Sequence, residues 1–322
     1  MSLMKTKTKT IFLGTPDFGL PALSALLADP FFSVELVITQ PDKKIGRKQI
    51  LTSPIIKLEA LKHNIQVLQP MKVKEAIEEI NKIQPDLIVV IAYGQIIPAD
   101  ILNIPKYGCI NVHGSLLPKY RGAACIQAAI LNGDQESGLT IMKMDAGLDT
   151  GPIIYQEKVK IDDQETSNRL YKKLSDLAGK ILPNILKKYI NNELPLTEQD
   201  DTQASYIKTL KKENGLIDWN KPVLEIERQI RAFNPWPGTY SLTTEDQVLK
   251  ILEIDNIIKT TLAKPGTIME IDKHLAIQAK DGYLIVKKLQ LEGKKPMEAG
   301  AFISGYSKLI NTQFKEAPSS NG

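Results

Sequence analysis

The 322-residue sequence predicts an α/β fold: a doubly wound parallel sheet, followed by a smaller unit that is a β-barrel or a β-sandwich. Through residue 190, short apolar runs alternate with helical patterns, which is typical of a parallel sheet covered by helices on both faces. A polar stretch follows, and beyond it several short strands succeed one another at close spacing, which is typical of a small all-β unit.

Six apolar runs rich in β-branched residues predict the strands of the first part: KTIFLG (9–14), VELVIT (34–39), IQVLQ (65–69), DLIVVIAY (86–93), GCINVHG (108–114) and LTIMKMD (139–145). Between them, LPALSALL, SPIIKLEALKHN and VKEAIEEINK have the apolar spacing of helices. A longer helical pattern covers 165–192, and Pro183 within it predicts a kink.

The polar stretch NNELPLTEQDDTQASY predicts a linker, because it contains few large apolar residues. We therefore expect a first domain over 1–190, a linker over 191–212 and a second domain over 213–322. In the second domain, VLEIERQIRAF predicts a helix ahead of five strand-like runs. Asp281-Gly282 predicts a hairpin turn between the last two of these runs.

The cysteine and histidine content argues against two kinds of site. Two cysteines, Cys109 and Cys125, cannot form a disulfide framework, and they fit a reducing compartment. Three histidines without a Cys/His cluster make a structural zinc site unexpected, so we expect no metal. No apolar run reaches the roughly 18 residues of a membrane span, so we expect a cytoplasmic protein without membrane contact.

The net charge of +4 lies in residues 1–212, because residues 213–322 hold 14 basic and 14 acidic residues. One basic run, PDKKIGRK at 41–48, contains four cations and one anion. Taken alone, this run is equally typical of a solvated surface loop. At the start of the chain, Met1–Leu3 precede a second methionine, and we expect them to be an expression remnant.

The first predicted strand is followed by FLGTPDFG, which argues against a dinucleotide cofactor. Its two glycines, Gly14 and Gly19, are five residues apart, whereas the pyrophosphate-binding turn of a Rossmann domain requires Gly-x-Gly-x-x-Gly. The chain also lacks a Walker lysine motif. An NAD enzyme and a P-loop enzyme are therefore disfavoured.

Polar side chains gather after two predicted strands. Asn111 and His113 lie on one face of GCINVHG if that strand is extended, near the carboxyl end where open α/β sheets bind ligands. Asp145 and Asp149 follow LTIMKMD within a glycine-containing loop. Each residue also has a structural interpretation, since histidines at strand ends are often structural and Asp before Thr-Gly is often a turn residue.

Together these motifs resemble the folate-dependent formyltransferases, in particular the members that formylate the methionine of initiator tRNA. The resemblance rests on Asn-x-His-Gly-Ser-Leu-Leu-Pro-x-Tyr-Arg-Gly at 111–122, followed by Asp-x-Gly-Leu-Asp-Thr-Gly at 145–151. It covers almost the whole chain, because further pieces occur in family order: GTPDFG, TQPD, VVIAYGQIIP, LIDWN and RAFNPWPGT.

The resemblance implies a Rossmann-like catalytic domain, a linker and a tRNA-binding β-barrel of the OB type. It implies Asn111, His113 and Asp149 as the catalytic residues. It also implies 10-formyltetrahydrofolate as co-substrate and initiator Met-tRNA as partner. The implied folate-binding residues are Ser115, Leu116, Leu117, Pro118, Ala92, Tyr93, Gly94 and Asp145. The implied tRNA-binding residues are Arg47, Lys43, Lys44 and Lys48.

The sequence departs from the family pattern in two places. Cys125 stands where relatives usually carry proline, and we expect it to be a variation at a helix start without a chemical role. The loop DKKIGRKQIL keeps its cations but lacks the usual second glycine, which leaves its conformation open.

Two other functions are consistent with parts of the pattern. A formyltransferase for an amino-sugar nucleotide would share the catalytic residues, but the basic run favours tRNA, because a polyanion needs distributed cations. A non-catalytic RNA-binding module would not need Asn111, His113 and Asp149 together. We expect a monomer.

Overall fold

The structure is a computed structural model that describes residues 7–46 and 48–316. The chain divides into two compact units. The first comprises Met1–Cys125, Glu136–Lys160 and Leu170–Ile207; the second comprises Ile126–Gln135, Ile161–Arg169 and Lys208–Gly322. Two expectations, the remnant at residues 1–3 and the tRNA contact of Arg47, lie outside the described residues.

Every predicted strand and helix of the first part is present. The strands in chain order are β1 (Thr8–Gly14), β2 (Phe32–Ile38), β3 (Lys43–Ile45), β4 (Ile50–Thr52), β5 (Gln66–Leu68), β6 (Leu87–Ile91), β7 (Cys109–His113), β8 (Arg121–Gly122), β9 (Glu136–Lys143), β10 (Ile153–Lys160) and β11 (Tyr206–Ile207). The helices are α1 (Leu20–Ala28), α2 (Ile55–Lys62), α3 (Ile77–Ile83), α4 (Ala99–Leu102), α5 (Cys125–Asn132) and α6 (Ser167–Ile190), which runs on through Pro183.

The main sheet of the first unit has the strand order β10-β9-β7-β6-β1-β2-β5. The five strands from β7 to β5 are parallel, but β9 is antiparallel to β7 and β10 is antiparallel to β9. The prediction of a parallel sheet is therefore corrected to a mixed, Rossmann-like sheet. The antiparallel edge escaped prediction because the polar IIYQEKVK of β10 has only part of its side chains buried, as is typical of an edge strand.

Both faces of the parallel strands are buried, as the alternation of side chains shows. Ile11 and Leu13 on β1 belong to one apolar cluster that also contains residues of α3 and α4, such as Ile80 and Ile101. Phe12, between them in sequence, points to the opposite face and is fully buried there. The doubly wound arrangement predicted from continuous apolar strands is confirmed.

The second unit contains an antiparallel sheet. Its strands are β12 (Thr239–Leu242), β13 (Val248–Ile258), β14 (Ile268–Ile271), β15 (His274–Gln278), β16 (Tyr283–Leu291) and β17 (Met297–Glu298), with helices α7 (Val223–Ala232) and α8 (Ala299–Gly305). The strand order is β12-β13-β16-β15-β14, with β17 beside β16. The predicted turn at Asp281-Gly282 joins β15 to β16, where the Ala279 amide donates to the Gly282 carbonyl.

An apolar core lies between this sheet and its helices. Val223, Ile226 and Ile230 on α7 pack with buried strand residues such as Leu249 and Leu284. These positions on α7 follow helical spacing, so one face of the helix is apolar and covers the sheet. Across residues 7–46 and 48–316, no helix combines the length and the apolar character needed to cross a membrane.

Candidate active site

β7 and the loop after β9 bring the three predicted catalytic residues together. The Asn111 amide Nδ2 donates to Asp149 Oδ1 over 3.2 Å. The His113 Nδ1 atom lies 3.6 Å from Asp149 Oδ2. The Gly122 amide donates to the same Oδ2 atom over 2.8 Å. Asp149 is therefore the centre of the cluster.

The antiparallel direction of β9 determines how Asp149 reaches Asn111. Because β9 is antiparallel to β7, its last residue Lys143 pairs with Ile110 near the start of β7, whereas His113 pairs with Thr140. The loop after β9 therefore does not share the carboxyl edge of β7 and reaches the site by turning back toward it. Asp149 therefore meets Asn111 and His113, as the resemblance implies, from an antiparallel strand of a mixed sheet.

Asp149 has a left-handed backbone, with φ of 54°. Such conformations are uncommon outside glycine, and Asp and Asn tolerate them best because their short side chains bond to nearby backbone. The glycines of the loop satisfy a different requirement. A Cβ atom on Gly151 would lie 1.9 Å from the Lys143 carbonyl oxygen, so this position admits no side chain.

The His113 ring is held on both sides. Its Nε2 atom lies 2.9 Å from the Tyr120 carbonyl oxygen, which can only accept, so Nε2 carries a proton. Nδ1 then faces Asp149 and is the position that titrates. The 3.6 Å separation exceeds a hydrogen bond, so the Nδ1 position is more available to a ligand than Nε2, which is bonded to Tyr120.

The imidazolium form of His113 is favoured despite burial of the side chain. Burial alone lowers the pKa of His113, but the contact with the Cys125 side chain, the Asp149 carboxylate and the hydrogen bond to the Tyr120 carbonyl outweigh it and raise the pKa to about 9. At neutral pH the ring is thus a cation paired with Asp149. Cys125, expected to have no chemical role, lies within hydrogen-bonding reach of this ring.

We expect His113 to titrate at about pH 9 when its imidazole protons are followed by NMR. Because the folded-state pKa exceeds the ordinary value of 6.5, the charged ring stabilises the fold below about pH 6.5, and this contribution is lost as the pH rises through about 9. In Asp149→Asn the titration should move to lower pH. A midpoint near 6.5 in the wild-type protein would contradict the contacts described above.

The predicted folate-binding segment Ser115–Pro118 is anchored to the edge of the sheet. The Thr140 hydroxyl donates to the Ser115 carbonyl over 2.7 Å and accepts from the Leu117 amide over 3.0 Å. Ser115 and Leu117 are buried, whereas Leu116 and Pro118 are partly exposed. Leu116 and Pro118 are therefore the side chains of this segment that can contact a ligand.

Residues 92–94 alternate in exposure at the end of β6. Ala92 and Gly94 are exposed with left-handed φ values of 48° and 86°, and Tyr93 between them is buried. The Tyr93 ring packs in the apolar core, and burial together with Glu75 raises the pKa of its phenol to about 12. The Tyr93 carbonyl accepts from the Thr15 hydroxyl over 3.2 Å.

Asp145 shapes the loop that carries Asp149. Its Oδ1 atom accepts from the Gly147 amide over 3.0 Å and from the Thr150 hydroxyl over 2.7 Å. Its side chain is exposed, and within the described residues it bonds to Gly147 and Thr150 rather than to Asn111 or His113. Asp145 is therefore a turn residue in this structure.

The basic run forms a β-hairpin of β3 and β4. Its conformation could not be predicted from the sequence. Lys43 and Lys44 lie on β3 and are exposed, and Lys48 is exposed at the turn between β3 and β4. Three apolar side chains of the same hairpin, Ile45, Ile50 and Leu51, are 57–64% exposed.

The base of the hairpin is held by a carboxylate. Asp42, just before β3, accepts from Lys57 Nζ of α2 over 2.8 Å and from the Ser53 hydroxyl over 3.0 Å. Hydrogen bonds from Lys57 and Gln69 hold the pKa of Asp42 below its usual range. The two stems of the hairpin are therefore tied to each other and to α2.

Sequence reasoning missed two residues near the cluster. Arg121 is buried, and its guanidinium donates to the Gln199 carbonyl oxygen Oε1 and to Asp201. Gln199 in turn donates to the Asp149 backbone. Arg121 lies within the motif at 111–122. Gln199 lies in a polar segment, and no motif or spacing there distinguishes it from its neighbours. Among the described residues, no group of three or more His, Cys, Asp or Glu side chains could hold a metal ion.

The cluster offers hydrogen-bond donors and a carboxylate in one place. Asn111 uses one amide hydrogen on Asp149. No acceptor in the described part of the chain takes the second hydrogen, so it is available to a ligand. The charged His113 ring supplies a further donor, and Asp149 supplies the balancing charge. Such a set can stabilise a developing oxyanion and pass protons.

Two family models match the chain. One described as "Formyl transferase" matches residues 8–186, and one described as "Formyl transferase, C-terminal domain" matches residues 209–307. Among curated proteins, "Methionyl-tRNA formyltransferase" of Caldicellulosiruptor saccharolyticus is 46% identical over 92% of this chain and 96% of its own. The protein of the same name from Lachnospira eligens is 44% identical over 92% of this chain and 96% of its own.

Solved structures share the fold at lower identity. A sugar 3N-formyl transferase, crystallised in the presence of dTDP and 5-N-formyl-THF, superposes with a TM-score of 0.65 at 24% identity, over 90% of this chain and 100% of its own. An N-formyltransferase from Helicobacter canadensis, in complex with folinic acid and dTDP-3-aminofucose, has a TM-score of 0.63 at 24% identity, over 87% of this chain and 98% of its own.

Proposed function

The chain belongs to the formyl transferase family, and on that premise we propose how its site works. The protein transfers the formyl group of 10-formyltetrahydrofolate to the amino group of the methionine on initiator Met-tRNA, for translation initiation. The observation that carries this function is the cluster of Asn111, His113 and Asp149, in a chain whose curated relatives bear the name methionyl-tRNA formyltransferase.

The nucleophile of this reaction is the substrate's own amine. Its nitrogen attacks the formyl carbon, and the bond from that carbon to N10 of the folate then breaks. The amine must lose a proton and N10 must gain one, so the site has to move protons without forming a covalent bond to the protein. This requirement fits a cluster that combines an amide, an imidazole and a carboxylate.

The formyl oxygen becomes negatively charged when the amine attacks. We assign Asn111 as the donor that needs no rearrangement, because one of its amide hydrogens is not used on Asp149. His113 adds a charged donor at Nδ1, whose distance to Asp149 is longer than a hydrogen bond. Donors aimed at such an oxyanion are worth roughly 3–4 kcal/mol each. Asp149 keeps His113 charged and orders the proton path between the amine and N10.

For the folate, we propose contacts from the surface around the cluster. Ala92 and Gly94, which are exposed, can contact a pterin together with Leu116 and Pro118, which are partly exposed. Ser115, Leu117 and Tyr93 are buried and would shape the pocket from behind. Asp145 would act by holding the 145–150 loop.

For the tRNA, we propose that the hairpin of β3 and β4 is the contact in the first domain. Lys43, Lys44 and Lys48 are exposed cations, and Arg47 precedes Lys48 in the sequence. A guanidinium can bind phosphate through two parallel hydrogen bonds, whereas each lysine supplies a point charge. The exposed apolar side chains of the hairpin would meet bases or riboses.

The remaining proposals concern organisation and location. We assign catalysis to 1–190, a linker to 191–212 and tRNA binding to 213–322. We also propose that the second sheet is of the OB type. The irregular register of β13 against β16 supports this, because bulges bend strands as barrel closure requires.

The enzyme would act as a cytoplasmic monomer, and its two buried free thiols fit a reducing compartment.

The acceptor is tested by offering labelled 10-formyltetrahydrofolate with charged initiator tRNA or with an amino-sugar nucleotide. We expect transfer to the tRNA only. Preferential transfer to the sugar nucleotide would replace the tRNA proposal with the amino-sugar one. Binding of the tRNA without transfer to either acceptor would favour a non-catalytic RNA-binding module.

Arg47→Ala should raise the KM for charged tRNA and reduce the salt dependence of tRNA binding by about one unit of slope per lost phosphate contact. The affinity for folate should stay unchanged. Both affinities are measured across a salt series, with Lys158→Ala as control, because Lys158 lies away from the hairpin on β10 and pairs with Glu136. Unaltered tRNA kinetics, or weakened folate binding, would mean that the hairpin does not bind tRNA and is a solvated surface loop.

A further inference from the structure

The polar segment 197–207 lies against the candidate active site. The Ile153 and Thr197 backbones exchange two hydrogen bonds of 2.8 and 2.9 Å. Further along, β11 pairs with β8, and the Arg121 amide donates to the Ser205 carbonyl over 2.8 Å. The contact with β8 is close, since a Cβ atom on Gly122 would lie 2.4 Å from the Ile207 carbonyl oxygen. These residues belong to the first unit.

The Gln199 side chain uses all of its hydrogen-bonding capacity within this segment. Its Nε2 atom donates to the carbonyl oxygens of Asp149 and Gly151, over 2.9 and 2.8 Å. Its Oε1 atom accepts from Nε and Nη2 of Arg121, over 3.2 and 2.9 Å. An amide has two donor hydrogens and two acceptor lone pairs, so each is matched by one partner.

Arg121 fixes the other end of this connection. Its side chain is 1% exposed, and Nη1 donates to the Tyr206 hydroxyl over 2.8 Å. Nη2 also donates to Asp201 over 2.7 Å. The guanidinium is therefore held in one orientation, and it presents two N–H groups to Gln199. A buried guanidinium with partners on each side is a rigid support for the amide.

Asp149 is consequently held at two points, its backbone carbonyl and its carboxylate, by residues that are themselves connected through Arg121. Gln199 binds its backbone carbonyl, while Gly122, the residue after Arg121, binds its carboxylate. Asp149 occupies a left-handed conformation that few residues adopt without support from their surroundings. Loss of the bond to the carbonyl would free the backbone that aims the carboxylate.

We propose that Gln199 is a positioning residue that holds the Asp149 backbone, and through it aims the carboxylate at Asn111 and His113. The proposal rests on the function proposed above, because it assigns Gln199 a part in the same site. It makes 197–207 a support of the active site as well as a connection between domains. Gln199 itself touches neither substrate in this account.

Two substitutions separate this role from a merely structural one. Gln199→Met has nearly the same volume and removes all four hydrogen bonds. Gln199→Glu keeps the oxygens that accept from Arg121 but places an oxygen against the Asp149 and Gly151 carbonyls, where a donor is needed. We expect both variants to lower kcat by about 10-fold or more, with the KM for each substrate nearly unchanged. Gln203→Met is the matched control, because Gln203 bonds to Asp200 in the same segment.

If Gln199→Met does not fold, Gln199→Glu carries the test, because its carboxylate keeps the contact with Arg121 and fails only at the two carbonyls. Wild-type kcat in Gln199→Glu would overturn the proposal, because the residue would then serve Arg121 alone. A lower melting temperature with unchanged kcat would overturn it as well.

A second readout needs no substrate. The groups that face the His113 ring are the Asp149 carboxylate, the Cys125 side chain and the Tyr120 carbonyl. If Asp149 shifts in Gln199→Met, the NMR titration of His113 should move to lower pH. Lowered kcat with an unchanged titration would mean that Asp149 had kept its place and would overturn the proposal.

Asp149→Asn is measured in the same experiments. If it loses turnover while the Gln199 variants keep theirs, only the role of Gln199 fails. If Asp149→Asn itself keeps wild-type turnover, the catalytic assignment beneath both proposals fails.

Discussion

Asp149→Asn should lower kcat by about 1000-fold or more, within the range spanned by proton transfer from positioned groups. Asparagine tolerates the left-handed backbone, so the loop should keep its shape. One of its two terminal atoms is an NH2 group, which would face a donor at Asn111 or Gly122. The negative charge beside His113 is lost in either orientation. Turnover is measured with both substrates saturating, and folding is checked by thermal melting.

Asp145→Asn is the matched control, because Asp145 lies in the same loop and bonds only to Gly147 and Thr150 among the contacts described. It should retain most of the turnover. If Asp145→Asn were the more damaged enzyme, the wrong carboxylate would have been placed in the catalytic cluster.

Asn111→Ala and His113→Ala should each lower kcat by about 100- to 1000-fold, with tRNA binding near the wild-type level. The reason is that each removes a donor that strengthens as charge develops on the formyl oxygen. Asn111→Ala tests this most cleanly, because its amide already has a hydrogen that Asp149 does not use. The two rates are read from single-turnover transfer, which separates chemistry from product release.

Asn103→Ala and His63→Ala control for the loss of an amide and of an imidazole. Both residues are exposed and lie outside the cluster. They should behave as wild type. Near-wild-type turnover in Asn111→Ala or in His113→Ala would remove that residue from the proposed mechanism.

The sequence predicted the parts of the fold that rest on strong local signals. Continuous apolar strands identified the doubly wound core, and Asp281-Gly282 identified the hairpin between β15 and β16. The edge strand β10 was missed because its exposed face is polar. The hairpin at 43–52 was missed because its residues carry the charge of a loop, and pairing between two three-residue strands leaves little periodicity to detect.

The candidate site was predicted through its motifs rather than through topology. The resemblance brought Asn111, His113 and Asp149 together, and the structure places them in contact. The antiparallel direction of β9 could not be inferred from apolar patterning, because a buried strand has the same pattern in either direction. Gln199 could not be found at all, since its partners are two backbone carbonyls and a distant arginine, and contacts of this kind leave no spacing in the sequence.

The proposed catalysis is tested most directly by the single-turnover rate of formyl transfer from 10-formyltetrahydrofolate to charged initiator tRNA, measured with excess enzyme for the wild-type chain and Asp149→Asn. The wild-type protein should transfer the formyl group, and the rate should fall by about 1000-fold or more in Asp149→Asn, with both substrates still bound. Equal rates for the two proteins would contradict the proposed catalysis, because the carboxylate at the centre of the cluster would then have no part in the chemistry.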